Sequence, residues 1–314
     1  MVKLSVIILC HHGDQWIGPC MQSLEGQSLA SDKFEIILVD NGKTTPSLRR
    51  YRNQPNVTIL TFAANRGFAA GNNRALAHAR GETIFLLNQD VVLHTRCLQN
   101  LLDAFYRIPA ASFISANMLM VRLTDPIDLH GPQPGTTGIY QITRAGFAQY
   151  EIQPAGKRLM PTPFVSGNAL CFKRSALRLV GNYLFDERLI SYAEDLDLSL
   201  RAAANDLEMF VCPEAVIYHF RDDAFYGKPT DMIKKYLHVS SNRLLVYLNR
   251  LSMRGFLERL PLLIMGIPLK LGRRDNDNRV SWARVAAGSC LLPLSFVWFA
   301  IKAIRYHKDS PEQA

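Results

Sequence analysis

The sequence predicts an α/β fold with a mostly parallel central sheet and a helical extension at its C-terminal end. Two observations carry this prediction. Four short runs rich in β-branched and apolar residues follow one another in the first third of the chain, and helix-like or polar segments separate them. The runs are nearly continuous rather than alternating, which is typical of strands covered on both faces. They are LSVIIL (4–9), FEIILVD (34–40), NVTILTF (56–62) and ETIFLLN (82–88).

Two of the separating segments have the features of crossover helices. DQWIGPCMQSLEGQS lies between the first and second runs, and GFAAGNNRALAHARG lies between the third and fourth. Each has a glycine near its end, which is a common helix stop. In sheets of this kind, ligands bind beyond the carboxyl ends of the strands. We therefore expect Asp40, Asn65 and Asp90 to lie at a binding edge.

The pattern changes after the fourth run. Residues 108–165 are rich in Pro and Gly, and they predict loops and short strands without a clear period. A second ordered block follows, with SGNALCFKRSAL, the helix YAEDLDLSLRAAAND and the strand EMFVCPEAVIYHF. After about residue 230 the chain is predicted to be helical and basic.

The positive charge is concentrated in the last third of the chain. The net charge is +9, but residues 1–220 hold 20 Lys and Arg against 19 Asp and Glu, whereas residues 221–314 hold 16 against 8. Basic residues mixed with apolar ones favour an anionic membrane surface. No zinc-finger spacing, RNP-like motif or lysine-rich arm is present, which argues against nucleic acid. The apolar stretch 285–301 is barely long enough to span a bilayer, so we expect it to lie on the surface.

The cysteines and the N-terminal segment indicate the cellular compartment of the protein. The six cysteines contain no C-x-x-C pair, which indicates a reducing environment rather than disulfides or a zinc knuckle. The segment MVKLSVIILC is too short in its apolar part for a secretory signal. We expect a cytoplasmic protein that is peripheral on the inner face of the cell membrane.

Two polar segments lie where the strands end. Asn88-Gln89-Asp90 closes the fourth run, and a carboxylate there suits a hard divalent cation that also holds phosphate oxygens. A turn in which Asn88 and Asp90 bond nearby backbone N–H groups is the alternative. VDNG places Asp40 where it can accept from the base or ribose of a nucleotide, although Asp-Asn-Gly is also a common turn.

The segment NRGFAAGNNRAL is a glycine-rich turn that leads into a helix. Its small residues allow a ligand to approach the backbone, and the helix N-terminus favours phosphate. Gly67 and Gly71 could instead serve packing alone. The chain has no G-x-G-x-x-G and no Walker A sequence, so the usual dinucleotide and P-loop sites are excluded.

In order and spacing, these segments resemble the family 2 glycosyltransferases, which are inverting, sugar-nucleotide-dependent enzymes with the Rossmann-like GT-A fold. The resemblance runs from residue 4 to about 220, and NRGFAAGNN together with NQD is most similar to the subgroup of rhamnosyltransferases and related enzymes of O-antigen and cell-wall polysaccharide assembly. The segments are SVIILCHH, IILVDNGKT, NRGFAAGNNRAL, IFLLNQDVVL, FVSGNALCFKRSAL and FDERLISYAEDLDLSLR.

The resemblance implies a nucleotide-sugar pocket and a metal site. Asp40 would bind the nucleotide base, and Asn65 with the Gly67 turn would line the pocket. The remaining implied residues are Asn88 and Asp90, which occupy the family's D-x-D position, and His219, which matches a further metal contact. Asp90 would ligate Mg²⁺ or Mn²⁺ on the donor diphosphate. Asn88 departs from the pattern by replacing the first Asp, and a packed or capping role is the alternative for His219.

The resemblance also implies a catalytic base. AEDLDLSLR matches the family's Glu-Asp motif near a helix start, and a carboxylate facing the acceptor can deprotonate the attacking sugar hydroxyl. Asp195 is the predicted base, and Glu194 is predicted to orient it or to contact the acceptor. Acidic residues also favour a helix's first turn, and we interpret Asp197 and Arg201 as a simple i,i+4 pair.

Together these features predict a GT-A catalytic domain over residues 1–225, with a nucleotide-sugar-binding half (1–107) and an acceptor-binding half (108–225). A basic, amphipathic, membrane-associating tail is predicted over 226–314. The expected reaction transfers a single sugar, which is rhamnose or a hexose, from a UDP- or dTDP-sugar to a lipid-linked saccharide acceptor. We expect this reaction to belong to bacterial surface polysaccharide synthesis. Absence of the Q-x-x-R-W signature favours single addition.

Two other functions stay open from the sequence. A nucleotidyltransferase also needs a nucleotide and a metal. It would require a basic, glycine-rich loop after the first strand, whereas the segment at that place, CHHGDQWIG, has no Lys or Arg. A catalytically silent, membrane-associated scaffold of the same fold is the second alternative.

Overall fold

The computed structural model describes residues 2–122, 124–156, 158–220, 229–274, 277–280, 289–290 and 292–308. Within these residues, a nine-stranded mixed sheet forms the centre of the molecule, and two short hairpins lie outside it. The strands are β1 (Leu4–Cys10), β2 (Phe34–Asn41), β3 (Val57–Phe62), β4 (Thr83–Asn88), β5 (Val91–Leu93), β6 (Phe113–Val121), β7 (Thr136–Ile142), β8 (Ala148–Pro154), β9 (Met160–Pro161), β10 (Ala169–Lys173), β11 (Met209–Phe220), β12 (Arg273–Arg274) and β13 (Asp277–Val280).

The order of strands in the sheet is β3-β2-β1-β4-β10-β6-β11-β5, and β9 pairs with β11. The first four in this order run parallel to one another, β6 and β11 are also parallel, and β10 is antiparallel to both of its neighbours. The four strands predicted from the apolar runs are confirmed as β1 to β4. Their carboxyl ends therefore meet at one edge, as the sequence indicates.

Helices cover both faces of the sheet. The helices are α1 (Ile17–Glu25), α2 (Gly67–Leu76), α3 (Cys97–Arg107), α4 (Ala176–Leu179), α5 (Glu194–Ala204), α6 (Pro229–Arg250), α7 (Met253–Gly272) and α8 (Leu292–Lys308). Helices α1 and α3 contribute to one buried apolar cluster, and α2, α4 and α5 contribute to another. Along β1, Val6 and Ile8 face the first cluster whereas Ile7 faces the second, because successive side chains of a strand point to opposite faces.

Strand β6 corrects the expectation of loops and short strands over 108–165. It is nine residues long and lies between β10 and β11 in the sheet. Its polar residue Asn117 is fully buried, and the amide donates to the carbonyls of Thr136 (2.9 Å) and Pro213 (3.0 Å) while it accepts from the N–H of Gly138 (2.8 Å). The strand has a mostly apolar sequence, FISANMLMV, and the sequence analysis overlooked this run within the Pro- and Gly-rich region.

The C-terminal helices are docked on the second half of the sheet domain. Phe147, Phe164 and Leu196 share a buried apolar cluster with Leu244 of α6 and Tyr306 of α8. The predicted helical character is therefore confirmed, but the helices pack against the domain that precedes them. The predicted boundary at 225/226 lies outside the described residues and stays a prediction.

Within the part of the chain that the structure describes, no helix has the length and hydropathy required to cross a bilayer. The predicted apolar stretch 285–301 is described only at 289–290 and 292–301. Five of the six cysteines are buried free thiols, as their apolar surroundings predict, and Cys290 is exposed.

Candidate active site

Polar side chains meet at the carboxyl ends of β1, β2 and β4. Asp40 closes the turn that follows β2. Its side chain is 8% exposed, and its Oδ1 accepts hydrogen bonds from the backbone N–H groups of Thr44 (2.8 Å) and Thr45 (3.2 Å). The turn considered from the sequence is thus present. These two bonds also fix the direction of the carboxylate, and its contact with a nucleotide base stays a prediction.

Asn65 lies in a network of amide and imidazole groups beside Asp40. Its Oδ1 accepts from Asn41 Nδ2 (3.0 Å) and from the N–H of Gly67 (2.8 Å), and its Nδ2 lies 3.1 Å from His11 Nε2. His11 Nδ1 in turn lies 3.1 Å from the carbonyl oxygen of Asn41. The sequence analysis overlooked His11 and Asn41, although each stands at the carboxyl end of a predicted strand, which is the signal that identified Asp40.

The N-terminus of α2 contacts the loop of residues 189–193 that precedes α5, here called the entry loop. Gly67 has a φ of +78°, and a Cβ at this position would lie 2.6 Å from the carbonyl oxygen of Ile190. The N–H of Phe68 donates to Ser191 Oγ (3.2 Å), and that of Ala69 donates to the Ile190 carbonyl (3.1 Å). The entry loop takes these N–H groups, so in this conformation they are not available to a phosphate. The lining of a nucleotide-sugar pocket by Asn65 and the Gly67 turn stays a prediction.

Two other segments of the chain hydrogen-bond to Asn88 and Gln89 at the end of β4. Asn88 Nδ2 donates to Asn168 Oδ1 (3.1 Å), and the Asn88 N–H donates to the Asn168 carbonyl (2.9 Å). The Gln89 amide accepts from the N–H of His11 and donates to its carbonyl, both at 3.0 Å. The Asn88 side chain therefore faces Asn168 rather than the backbone of its own turn, and Gln89 fixes the segment that carries Asp90.

Asp90 and His219 are brought together, as the sequence predicts. His219 Nε2 lies 3.3 Å from Asp90 Oδ1, and the two side chains are 13% and 26% exposed respectively. His219 Nε2 is buried and makes no hydrogen bond within the described residues. A carboxylate oxygen beside an imidazole nitrogen that lacks a partner fits a divalent cation.

The described residues hold no cluster of three or more His, Cys, Asp or Glu side chains that could enclose a metal by themselves. Mg²⁺ is commonly bound by one or two protein groups together with substrate phosphates. The pair therefore fits a cation that shares its ligands with a diphosphate, and its metal-binding role stays a prediction.

Glu194 and Asp195 open α5 immediately after the entry loop. Glu194 is 7% exposed, and its Oε2 has no hydrogen-bond partner. Burial, and secondarily the charge of Asp195, raises the pKa of Glu194 to about 8. Asp195 is half-buried and accepts from the N–H groups of Leu196 (2.9 Å) and Gly167 (3.5 Å). Burial raises its pKa to about 6. The pair therefore retains a proton to a higher pH than ordinary carboxyl groups do.

Asp197 has a structural role, as the sequence predicts. Its Oδ2 accepts from Arg201 Nε (2.8 Å) in the expected i,i+4 pair, and its Oδ1 accepts from Arg250 Nε of α6 (2.6 Å). The side chains of Asp197 and Arg201 are 2% and 6% exposed, so the pair lies in the core rather than on the surface. Asp197 therefore anchors α5 to α6.

Known structures with the same arrangement define the class of fold. Staphylococcus aureus TarS 1-349 in complex with UDP-GlcNAc superposes with a TM-score of 0.56 at 16% identity, over 98% of this chain and 92% of that one. GalNAc-T7 with UDP, GalNAc and Mn²⁺ gives a TM-score of 0.64 at 12% identity, over 88% of this chain and 52% of that one. The protein has the GT-A fold.

The sequence establishes the family. The model of glycosyl transferase family 2 matches residues 5–177, and the chain belongs to this family. It is 29% identical over 233 residues to an N-acetylglucosaminyl-diphospho-decaprenol L-rhamnosyltransferase of Mycobacterium tuberculosis. The alignment covers 64% of this chain and 72% of that protein. It is also 26% identical over 130 residues to a poly(ribitol-phosphate) beta-N-acetylglucosaminyltransferase of S. aureus, over 39% of this chain and 21% of that protein. The resemblance inferred from the motifs is confirmed.

Proposed function

We propose that the protein is an inverting glycosyltransferase that moves one sugar from a nucleoside diphosphate donor to a saccharide acceptor. One observation carries the proposal. Gly167 and Asn168 are consecutive, and their backbone groups bond Asp195 and Asn88 respectively. The candidate base is thereby connected to the end of β4, two residues from Asp90. A base and an anion-stabilising site are the two parts that a single displacement at an anomeric carbon requires.

In this mechanism Asp195 accepts the proton of an acceptor hydroxyl while that oxygen attacks the anomeric carbon. The new glycosidic bond forms as the bond to the donor diphosphate breaks, so the configuration inverts and no glycosyl-enzyme is formed. Burial raises the pKa of the neighbouring Glu194 as well, which disfavours two charged carboxylates side by side. A divalent cation, Mg²⁺ or Mn²⁺, held by Asp90 and His219 would neutralise charge on the leaving diphosphate.

The relatives support the substrate classes. The mycobacterial relative is named for rhamnosyl transfer to a diphospho-decaprenol acceptor, and the staphylococcal one for transfer to poly(ribitol-phosphate). We infer a UDP- or dTDP-sugar donor, with rhamnose or a hexose as the sugar. The inferred acceptor is a lipid-linked saccharide in bacterial surface polysaccharide synthesis.

A donor panel tests the reaction. We expect one UDP- or dTDP-sugar, among UDP-, dTDP- and GDP-sugars, to release nucleoside diphosphate in an EDTA-sensitive manner. NMR of the transferred sugar should show the anomeric configuration opposite to that of the donor. Release of pyrophosphate from a nucleoside triphosphate and a sugar 1-phosphate, assayed separately, would instead indicate a nucleotidyltransferase, and donor binding without turnover would indicate a silent scaffold. Retention of configuration would contradict the single displacement.

The C-terminal helices present an apolar face that supports membrane contact. On α8, Leu294 (54% exposed), Val297 (58%), Ile301 (41%) and Ile304 (71%) recur at helical spacing. Exposed apolar side chains on one helix face, together with the excess of Lys and Arg after residue 220, suit an anionic bilayer. We propose that this face lies on the inner surface of the cell membrane.

Substitution of two apolar residues on α8 tests this contact. The double change Val297→Glu and Ile304→Glu should weaken sedimentation with anionic liposomes by at least about tenfold, because each side chain loses the free energy of apolar burial. Ile152→Glu, at a position that is 61% exposed on the β7–β8 hairpin, is the matched control and should bind as the wild type does. Equal binding by all three proteins would reject the assignment of the face.

A further inference from the structure

The entry loop has a strained backbone. Ile190 has a φ of 63° and a ψ of −65°, and Tyr192 and Ala193 have φ values of 70° and 67°. Positive φ is rare for residues other than Gly, and it is most unfavourable for a β-branched residue such as Ile190. The N–H of Ser191 donates to the carbonyl of Leu189 at 2.7 Å, which closes a tight three-residue turn. Such a conformation persists only where surrounding groups hold it.

Asn242 of α6 is the main group that holds the loop from inside the protein. Its side chain is fully buried, and its Nδ2 donates to the carbonyls of Leu189 (2.8 Å), Ser191 (2.8 Å) and Tyr192 (2.9 Å). The two N–H hydrogens of the amide are thus shared among three carbonyl oxygens of consecutive or nearly consecutive residues. A buried carbonyl without a donor is costly, so the amide favours this loop conformation over others.

A second contact fixes the orientation of that amide. Lys302 of α8 donates to Asn242 Oδ1 and also lies 3.0 Å from His238 Nδ1. With its oxygen bound by an ammonium group, the Asn242 side chain must direct its NH₂ group at the loop. The orientation is therefore determined by a residue on a different helix.

The segment that precedes the entry loop also contacts α8. Asp186 accepts from Arg188 Nη2 (2.7 Å) and from the Tyr306 hydroxyl, and the Arg188 guanidinium lies over the Tyr306 ring at 3.6 Å. Helix α8 therefore contacts the chain on the N-terminal side of the entry loop, and α6 contacts the loop itself.

We propose that Asn242, oriented by Lys302, is a positioning residue for the general base. It holds the entry loop in the conformation from which Glu194 and Asp195 begin α5, so that the Asp195 carboxylate is fixed relative to Gly167 and the end of β4. The role given to Asp195 rests on the proposed function, whereas the hydrogen bonds by which Asn242 holds the entry loop do not.

Asn242→Asp tests the proposal with almost no change in side-chain shape. The variant replaces the NH₂ donor by an acceptor that faces three carbonyl oxygens, and the loop should be released. We expect kcat to fall on the order of 10²-fold, the effect of misplacing a catalytic group by about an ångström, while donor affinity is unchanged. Lys302→Met, which leaves the buried amide in place, should lower kcat by a smaller factor.

Asn249→Asp is the matched control. Asn249 also lies on α6, and among the described residues its amide donates to the Leu245 carbonyl of its own helix (2.7 Å) rather than to the entry loop. Hydrogen exchange of the peptide covering residues 186–196 gives a readout that does not depend on activity. We expect faster exchange there in Asn242→Asp and Lys302→Met, and wild-type exchange in Asn249→Asp.

The outcomes separate this proposal from the proposed function. Faster exchange together with a kcat loss at constant donor affinity supports it. Unchanged exchange in Asn242→Asp, or unchanged kcat per folded molecule, overturns it. If the wild type transfers no sugar from any donor, the proposed function fails and exchange alone decides whether Asn242 holds the loop. If Asn242→Asp does not fold, Lys302→Met decides by the same two measurements.

Discussion

Asp195→Asn is expected to lower kcat by roughly 10²- to 10⁴-fold, which is the usual contribution of a general base. Asparagine keeps the shape of the side chain and its place at the start of α5, but it cannot accept the proton of the attacking hydroxyl. Donor affinity, measured by calorimetry, should change little because Asp195 serves the acceptor side. Asp206→Asn, an exposed change just beyond the end of the same helix, should leave kcat unchanged.

The pH profile of the wild type gives an independent check on the same residue. Burial raises the pKa of Asp195 to about 6, so the base takes up a proton as the pH falls through that value. Activity should therefore decline as the pH falls below about 6. Glu194→Gln should cost less than Asp195→Asn, because Glu194 is predicted to orient the base rather than to take the proton.

Two results would contradict this assignment. Normal turnover by Asp195→Asn together with an inactive Glu194→Gln would show that the base is the neighbouring carboxylate. Full activity of both variants would show that the pair is only a charged helix start, and the proposed mechanism would fail.

Asp90→Ala is expected to remove turnover and metal-dependent donor binding together. Loss of a cation that stabilises the leaving diphosphate removes several kcal/mol of transition-state stabilisation, which corresponds to a rate loss on the order of 10³-fold or more. Calorimetric titration of the donor with and without Mn²⁺ measures the binding, and His219→Gln should show a smaller loss of both properties. Asp206→Asn, at an exposed position just beyond the end of α5, is the control.

The metal assignment has a clear negative outcome. If Asp90→Ala keeps normal activity, and EDTA does not affect either protein, then Asp90 and His219 do not hold a cation that the reaction needs. The close approach of the two side chains would then be an internal contact of the fold.

Local patterns were sufficient to predict the binding edge. Strands β1, β2 and β4 are buried on both faces, so most of their residues are apolar and the polar residues at or just after their carboxyl ends are conspicuous. This contrast predicted the places of Asp40 and Asp90. Glu194 and Asp195 were found by resemblance, and the structure adds the burial that separates their pKa values.

Contacts between distant segments could not be predicted in the same way. Asn242 lies in a helix whose periodicity does not distinguish it from a core position, and its partners are 50 to 53 residues earlier in the chain. The N-terminus of α2 was expected to be open to phosphate because a single segment does not reveal that Ile190 and Ser191 pack against it. Strand β6 was missed because its apolar run FISANMLMV lies in a region whose Pro and Gly content predicted loops.

The contacts between α8 and the region of the entry loop affect the order in which the enzyme is completed during translation. Arg188 and Tyr306 are 118 residues apart, and at about 5–20 residues per second the ribosome needs roughly 6–24 s to synthesise that interval. During this time the sheet domain can fold while the entry loop lacks the groups that hold it. On the proposal made for Asn242 and Lys302, the nascent chain gains full transfer activity only after α8 has been made.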